Sequence, residues 1–383
     1  MHPAEMFDAS NESAGWGLKA SKKMASLTEG NTRPVRLADI AKAAGVSHGT
    51  ASNVFSRPEI VREEVRERVK AAAEAMGYAG PDPKGRLLRA GKVNAIGVAT
   101  TDPLSYFFDD PYARAMMASI SATCDATGTG IALVSAGNEE KLAWNIQSAL
   151  VDGFILFCIE GGSRLVELTL ERKLPFVALE LGFEDDRVSA IGVDNVAGAR
   201  LAARHLAGLG HRRFAVLSLA FADDSTGLVS PGQVQAAVYT GTRDRLAGYF
   251  EELSRFGVDT ARVPVYETEN DEASTWAGLE TIFASAEPPT AILAMSDRTA
   301  MIAIEWLAAR DIAVPRDVSI VGFDGVPDAA LCDPALTTVA QPIAEIGRRA
   351  ARRILDFDGT VRRETLDVEL VVRASSGPPP TRA

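Results

Sequence analysis

The side chains best placed for chemistry in this 383-residue chain lie in residues 37–54, and what they offer is recognition rather than catalysis. Leu37, Ile40, Ala41 and Ala44 recur at helical spacing. Gly45 supplies a turn, and Ser47 can cap a second short helix by accepting a hydrogen bond from an orphan amide. Helix, glycine turn and capped second helix are the grammar of a helix-turn-helix, whose second helix lies in the DNA major groove. Catalysis has less to draw on. The four histidines are His2, His48, His205 and His211, and the last two are expected at a helix end and its turn, in structural roles. No phosphate-loop, GxGxxG or HExxH pattern occurs. Asp109–Asp110 and Asp185–Asp186 are adjacent pairs in loops with no ion-ligand logic. Cys124, Cys158 and Cys332 are odd in number, far apart and read as small core residues of a reducing cytoplasm. The expectation is therefore no catalytic residue, no metal and no cofactor.

The elements that must position the recognition face follow from the same patterns. Residues 1–32 mix Ser, Asn, Gly, Lys and Glu and read as a disordered arm, with Met24 an alternative start. Residues 33–80 form an all-α head: a helix over Val35–Gly45, the Ser47-capped helix, and a third helix over Arg62–Met76 ended by Gly77. Residues 81–92, with Pro81, Pro83 and Gly85, read as a linker able to form a helical turn or two. From Val93 the pattern changes to short apolar strands alternating with helical stretches. The strands are expected at Val93–Thr100, Gly130–Ser135, Gly153–Phe157, Phe176–Leu179, Ala190–Val193, Phe214–Leu219, Ala291–Met295 and Ser319–Phe323. Such alternation predicts two doubly wound parallel sheets, with any ligand held between the strand ends. Ala220–Thr242 reads as a mobile loop beside that cleft, and 376–383 as a disordered tail.

Charge divides the chain the same way. The whole carries −11, but residues 33–92 hold 12 Lys and Arg against 7 Asp and Glu, a net of +5. The remainder holds 28 against 44, a net of −16. A basic head on an acidic body suits a protein that grips phosphate at one end only. No run approaches the roughly 18–20 apolar residues of a membrane helix, and no secretory signal is evident, so a cytoplasmic location is expected.

Several motifs in order carry a resemblance. In the head stands Leu-Ala-Asp-Ile-Ala-x-x-Ala-Gly-Val-Ser-x-x-Thr, followed by Ser52, Asn53 and Val54. Downstream come Gly192-Val193-Asp194-Asn195, Leu206 to Arg213, Arg245-Leu246-Ala247-Gly248-Tyr249, Ser296-Asp297, Ser319 to Asp324 and Leu336 to Val339. Over about residues 35–375 the chain resembles the lactose-repressor (LacI/GalR) family of bacterial transcription regulators. The resemblance implies a helix-turn-helix head, a hinge, and a two-lobed periplasmic-binding-protein-like effector and dimerisation domain over 93–375. Its N-lobe would take about 93–192 plus 343–358, and its C-lobe about 193–341 plus 365–373.

By matching position, His48, Gly49 and Asn53 would face base edges, where imidazole and carboxamide pair with acceptors and donors. Ser47, Thr50 and Ser52 would touch phosphate or cap the helix. In the hinge, Leu88 matches a minor-groove wedge flanked by Arg86 and Arg89 on phosphate. The partners implied are a palindromic operator in double-stranded DNA, a second copy of the chain and a sugar-like effector, with no membrane. A nucleoid location would follow when DNA is bound. For the effector the matching positions are Glu180, Arg245, Ser296 and Asp324, with Phe107 and Phe108 beside Tyr106 as an apolar wall and Asn270 as a further lining residue. Arg245 with Asp324 is the leading pair, while Asp297 and Asp194 read as cap or interlobe residues. The implied function is a repressor switched by its effector; an activator or a corepressor-dependent regulator of the same fold stays open. Two other classes compete. A soluble carbohydrate-binding protein is opposed by the basic head, and a Rossmann-type enzyme by the missing phosphate loop.

Overall fold

The computed structural model describes residues 35–80, 91–157, 163–182, 185–222 and 225–381. The hinge residues Arg86, Leu88 and Arg89, the arm 1–32 and Cys158 lie outside the described residues. The chain divides into two compact units at Gly91/Lys92.

The first unit is the head. Its helices span Leu37–Ala43, His48–Ser56 and Glu63–Ala75, with a single 3-10 turn at Pro58–Ile60. Asp39 reaches back to the Arg36 amide at 2.9 Å and fixes the first helix's start. Gly45, at φ +64°, ends that helix in a conformation most side chains resist, and the Val46 amide closes on the Ala41 carbonyl at 3.0 Å. Ile40, Ala51 and Val69, one from each helix, are fully buried against one another, with Leu37, Val54 and Ala73 completing the core. Phe55 and Tyr78 close its edge with rings 5.7 Å apart, edge to face.

The second unit contains two sheets. The first has the strand order β12-β5-β4-β3-β1-β2, built from Arg363–Leu366, Ser189–Val193, Phe176–Leu179, Gly153–Phe157, Ala95–Thr100 and Gly130–Ser135, all parallel. The second runs β13-β11-β10-β9-β6-β8-β7. Its parallel strands are Thr337–Ala340, Ser319–Asp324, Ala291–Ala294, Phe214–Ser218 and Val265–Glu267. Two antiparallel edge strands flank them, Glu369–Val371 and Gly227–Leu228. Central strands such as Gly153–Phe157 and Ala291–Ala294 are buried along their whole length, as expected with helices on both faces.

The eight expected strands are present within two residues of their predicted ends. Among the described residues five more escaped the sequence reading, Thr337–Ala340 being one. Val265–Glu267, Gly227–Leu228 and Glu369–Val371 are too short to declare a period, and Arg363–Leu366 alternates polar and apolar residues at a sheet edge. Because Arg363–Leu366 pairs with Ser189–Val193, the chain's last crossing between sheets falls after Leu366 rather than before residue 365. The other crossings follow Val193 and Ala340. The disordered-tail expectation also needs correction. Ser376 bonds His205 and Thr337, and the Gly377 carbonyl accepts from Ser319 and pairs with His211 Nε2 at 2.9 Å. Both body histidines are thus structural pins for the chain's end.

Candidate functional site

In the head, Ser47 caps the second helix by accepting from the Thr50 amide at 3.0 Å, and the two hydroxyls lie 2.9 Å apart. Ala51 and Val54 turn inward, so Gly49, Ser52, Asn53 and Ser56 share the outer face with His48 at its edge. His48 and Gly49 are exposed, and Ser52 and Asn53 half-buried. Nothing in the head's packing requires glycine at 49: an added Cβ would meet only the Ser47 oxygen, at an ordinary 3.8 Å. The helix therefore presents a nearly bare backbone at the start of its outer face.

In the body a cleft of about 330 Å³ opens where the carboxyl ends of the strands of both sheets meet. Of the seven expected effector residues, Glu180, Arg245, Asn270, Ser296 and Asp324 line it. Phe107 and Phe108 do not. Phe107 is 2% exposed and packs its ring 5.4 Å from Phe157, whereas Phe108 points outward, 65% exposed. Of the expected wall Tyr106 does line the cleft, joined by Tyr112 and Tyr239 in place of the two phenylalanines.

Arg245 organises the site. The helix Thr240–Arg255 lies hard against Asn195–Gly208 because residue 248 is glycine; a Cβ there would stand 2.5 Å from the Val196 carbonyl oxygen. That approach lets Arg245 Nε donate to Asn195 Oδ1 at 2.8 Å, while another arm donates to the Met295 carbonyl. The guanidinium stacks 3.8 Å over the Phe323 ring and stands 3.9 Å from Asp324. The Arg245–Asp324 pair lies within the second sheet's lobe, and the Arg245 charge also acts on Glu180 from the first sheet.

Glu180, Asn270 and Asp324 each hold a left-handed or otherwise positive φ, at +60°, +55° and +131°. Non-glycine residues avoid this region unless surrounding structure imposes it, and such strain gathers at functional sites. Burial raises the Glu180 carboxyl's pKa, with Arg245 and Asn195 opposing. Asp324 is raised well above the usual carboxylate range, again by burial first; Arg245 opposes, and the neighbouring Asp297 and Asp110 add to the rise. Asp297 serves structure: its carboxylate accepts from the Gly325 and Val326 amides at 2.8 and 2.9 Å and from the Thr338 hydroxyl. Its pKa is pushed up to about 6, chiefly by burial. Ser296 caps the helix Asp297–Ala308 and donates to Asn270 Oδ1 at 2.6 Å.

Sequence reasoning missed the contacts that join the two lobes beside the cleft. Asp110 caps the helix Pro111–Asp125 through the Tyr112 and Ala113 amides. It also accepts from Asn270 Nδ2 at 3.1 Å and faces Arg298 at 3.7 Å, both from the second lobe. Arg114 pairs with Asp328 at 2.8 Å, and the Tyr112 hydroxyl donates to Gln341 at 3.4 Å. The Asp110-Pro111 pair was the available signal, a cap followed by proline at the first helical position. The segment expected to be a mobile loop is instead anchored. Buried Glu267 accepts from the Phe221 amide at 2.5 Å and the Ser225 hydroxyl at 2.6 Å, and the segment contains the helix Pro231–Gln235. Among the described residues no acid, histidine and cysteine group could hold a metal, and no helix is long and apolar enough to cross a membrane.

Comparison with known proteins agrees with this anatomy. Residues 36–80 match the family described as bacterial regulatory proteins, lacI family, and residues 203–376 match a periplasmic binding protein-like domain. An HTH-type transcriptional regulator of Mycobacterium tuberculosis, Rv3575c, is 35% identical over 354 residues, covering 91% of this chain and 98% of that protein. The lac repressor dimer bound to operator and the anti-inducer ONPF superposes with a TM-score of 0.68 at 25% identity, covering 90% of this chain and all of that one. A complex of the transcriptional regulator CelR with cellobiose gives 0.64 at 26%, with the same coverage. With a helix-turn-helix head, a two-sheet body and a relative this similar along nearly its whole length, the chain belongs to the lacI family of bacterial transcriptional regulators.

Proposed function

We propose that this regulator binds a palindromic operator as a homodimer and that a sugar-like molecule in the cleft between its lobes switches that affinity, most simply as an effector-controlled repressor. The observation that carries the reading is the convergence of Glu180 from the first sheet with Arg245 and Asp324 from the second on one cavity. A ligand bridging such groups has different affinities for open and closed lobes, the one condition under which it can shift an equilibrium. Paired carboxylates and a guanidinium beside tyrosines are the groups that hydrogen-bond and stack against a polyol.

On the DNA side, His48 and Asn53 meet base edges, Gly49 lets the groove approach the helix backbone, and Thr50 and Ser52 touch phosphate while Ser47 holds the cap. Leu88, Arg86 and Arg89 in the hinge are assigned to the minor groove and its phosphates. The chain acts in the cytoplasm, on the nucleoid when bound, and catalyses nothing. The domain limits follow the same reading, with the lobe boundary moved to follow Leu366.

The test is selection of genomic fragments by the purified full-length protein at moderate salt, followed by sequencing. An enriched palindrome with a deformable central step supports the dimeric head-and-hinge reading. Fragments without a shared motif, released as salt rises, would leave only charge-driven binding and overturn it.

A further inference from the structure

The charge arrangement of the cleft says more about the ligand than its shape does. Five carboxylate residues line it: Asp102, Asp110, Glu180, Glu269 and Asp324. Among the described residues two guanidiniums oppose them, and no lysine is present in the wall. Both cations are already engaged. Arg298 stands 3.7 Å from Asp110, and Arg245 is held by Asp324, Asn195, the Met295 carbonyl and the Phe323 ring. Two of the helix starts in the wall, which elsewhere could receive an anion, are closed by their own side chains, whereas that of Thr240–Arg255 opens at Tyr239 without a side-chain cap. Asp110 occupies the amides of Pro111–Asp125, and Ser296 those of Asp297–Ala308, with Asp297 in the first turn.

We infer that the cleft selects an unphosphorylated, uncarboxylated ligand, a neutral polyhydroxyl compound or its amino derivative, and rejects the anionic counterpart. This rests on the effector reading above and narrows it. A phosphate or carboxylate would enter a desolvated site lined by five carboxyl groups, with both guanidiniums already paired to a carboxylate, and there each charged carboxylate it meets costs more than in water. Neutral hydroxyls face no such barrier: the carboxylates accept from them and Arg245 donates. Asp110 is the specificity residue, because its carboxylate both repels an anion and neutralises Arg298.

The experiment is calorimetric titration and thermal shift of the full-length protein against matched sets. These are glucose, ribose and cellobiose; glucose 6-phosphate and ribose 5-phosphate; glucuronate; glucosamine; and inorganic phosphate. The neutral or aminated members are expected to bind, with any phosphorylated partner at least a hundredfold weaker, about 2.7 kcal/mol. Asp110→Asn, which keeps a capping side chain and releases Arg298, is expected to narrow that gap at least tenfold. A phosphate or uronate binding within tenfold of its neutral parent overturns the inference, as does a gap unchanged in Asp110→Asn or silence across the whole panel. Operator selection by the same preparation separates these failures from failure of the regulator reading itself.

Discussion

The head and the cleft solve opposite problems. The head buries only small and medium apolar side chains drawn from some forty consecutive residues, and leaves its polar groups in water. The cleft draws on residues between Thr101 and Gln341 and keeps Asp110, Arg245 and Asp324 almost fully buried. A surface that reads a partner needs an outer face held rigid from below. A site that answers to a small molecule needs groups from both lobes, restrained by each other until the molecule arrives. The same contrast sets where each region is fragile: the head through its thin core, the cleft through its charges.

That contrast can be broken most forcefully at Arg245. Arg245→Ala leaves buried Asp324 and half-buried Glu180 without their counter-charge, and the body is expected to lose about 3–5 kcal/mol of stability together with its ligand response. Thermal unfolding with and without ligand measures both; a body as stable as the parent would show that the guanidinium is dispensable. The corresponding blow to the head is Ile40→Ala, at a fully buried position. A cost of about 2–5 kcal/mol is enough to unfold a unit this small. DNA binding should vanish while the body's unfolding transition stays in place. A shared loss in both transitions would contradict the independence of the two units.

The buried carboxylates make a pH prediction of definite sign. Asp297 has its pKa raised from an ordinary 3.8 to about 6, so the native state holds that proton more tightly than the unfolded chain. Its contribution favours folding fully below about pH 4 and is lost as pH rises towards 6. Asp110, Glu180 and Asp324 are raised too and act in the same direction. Asp297→Asn keeps the acceptor for the Gly325 and Val326 amides. It should flatten the body's stability between pH 4 and 6 by on the order of 1–3 kcal/mol relative to the parent. Denaturant titrations at several pH values report this, and parallel profiles would rule it out. The smallest effect sharpens the head. Gly49→Ala should stabilise the second helix by about 0.5–1 kcal/mol, since its Cβ meets only the Ser47 oxygen at an ordinary 3.8 Å, yet weaken DNA binding if the groove approaches that backbone. Gains in both would show that the outer face does not lie against DNA there.

How much the sequence revealed follows from the same difference. The head was legible because its determinants are contiguous: Ile40, Gly45, Ser47 and Val54 each act on neighbours within a turn or two. Strand positions in the body were legible for the same reason, since Gly153–Phe157 announces itself as an unbroken apolar run. Of the seven residues named for the cleft, the five that line it were legible through the resemblance, as positions matching the family, and not through any local pattern. The aromatic wall was misjudged because Tyr106, Phe107 and Phe108 are adjacent, and only the packing of Phe157 decides which ring turns inward. Asp110–Arg298 and Asp110–Asn270 join residues more than 150 positions apart, and no local pattern announces that approach. The anchoring of Phe221 and Ser225 by Glu267 was hidden likewise.

The most direct test of the account is reciprocity between the two regions. DNA affinity of the full-length protein would be measured by fluorescence anisotropy over increasing concentrations of a neutral cleft ligand. Ligand affinity would then be measured with and without the selected operator. The account predicts that the ligand changes DNA affinity at least fivefold and that DNA changes ligand affinity by the same factor. A ligand that saturates the cleft while leaving DNA affinity untouched would contradict it.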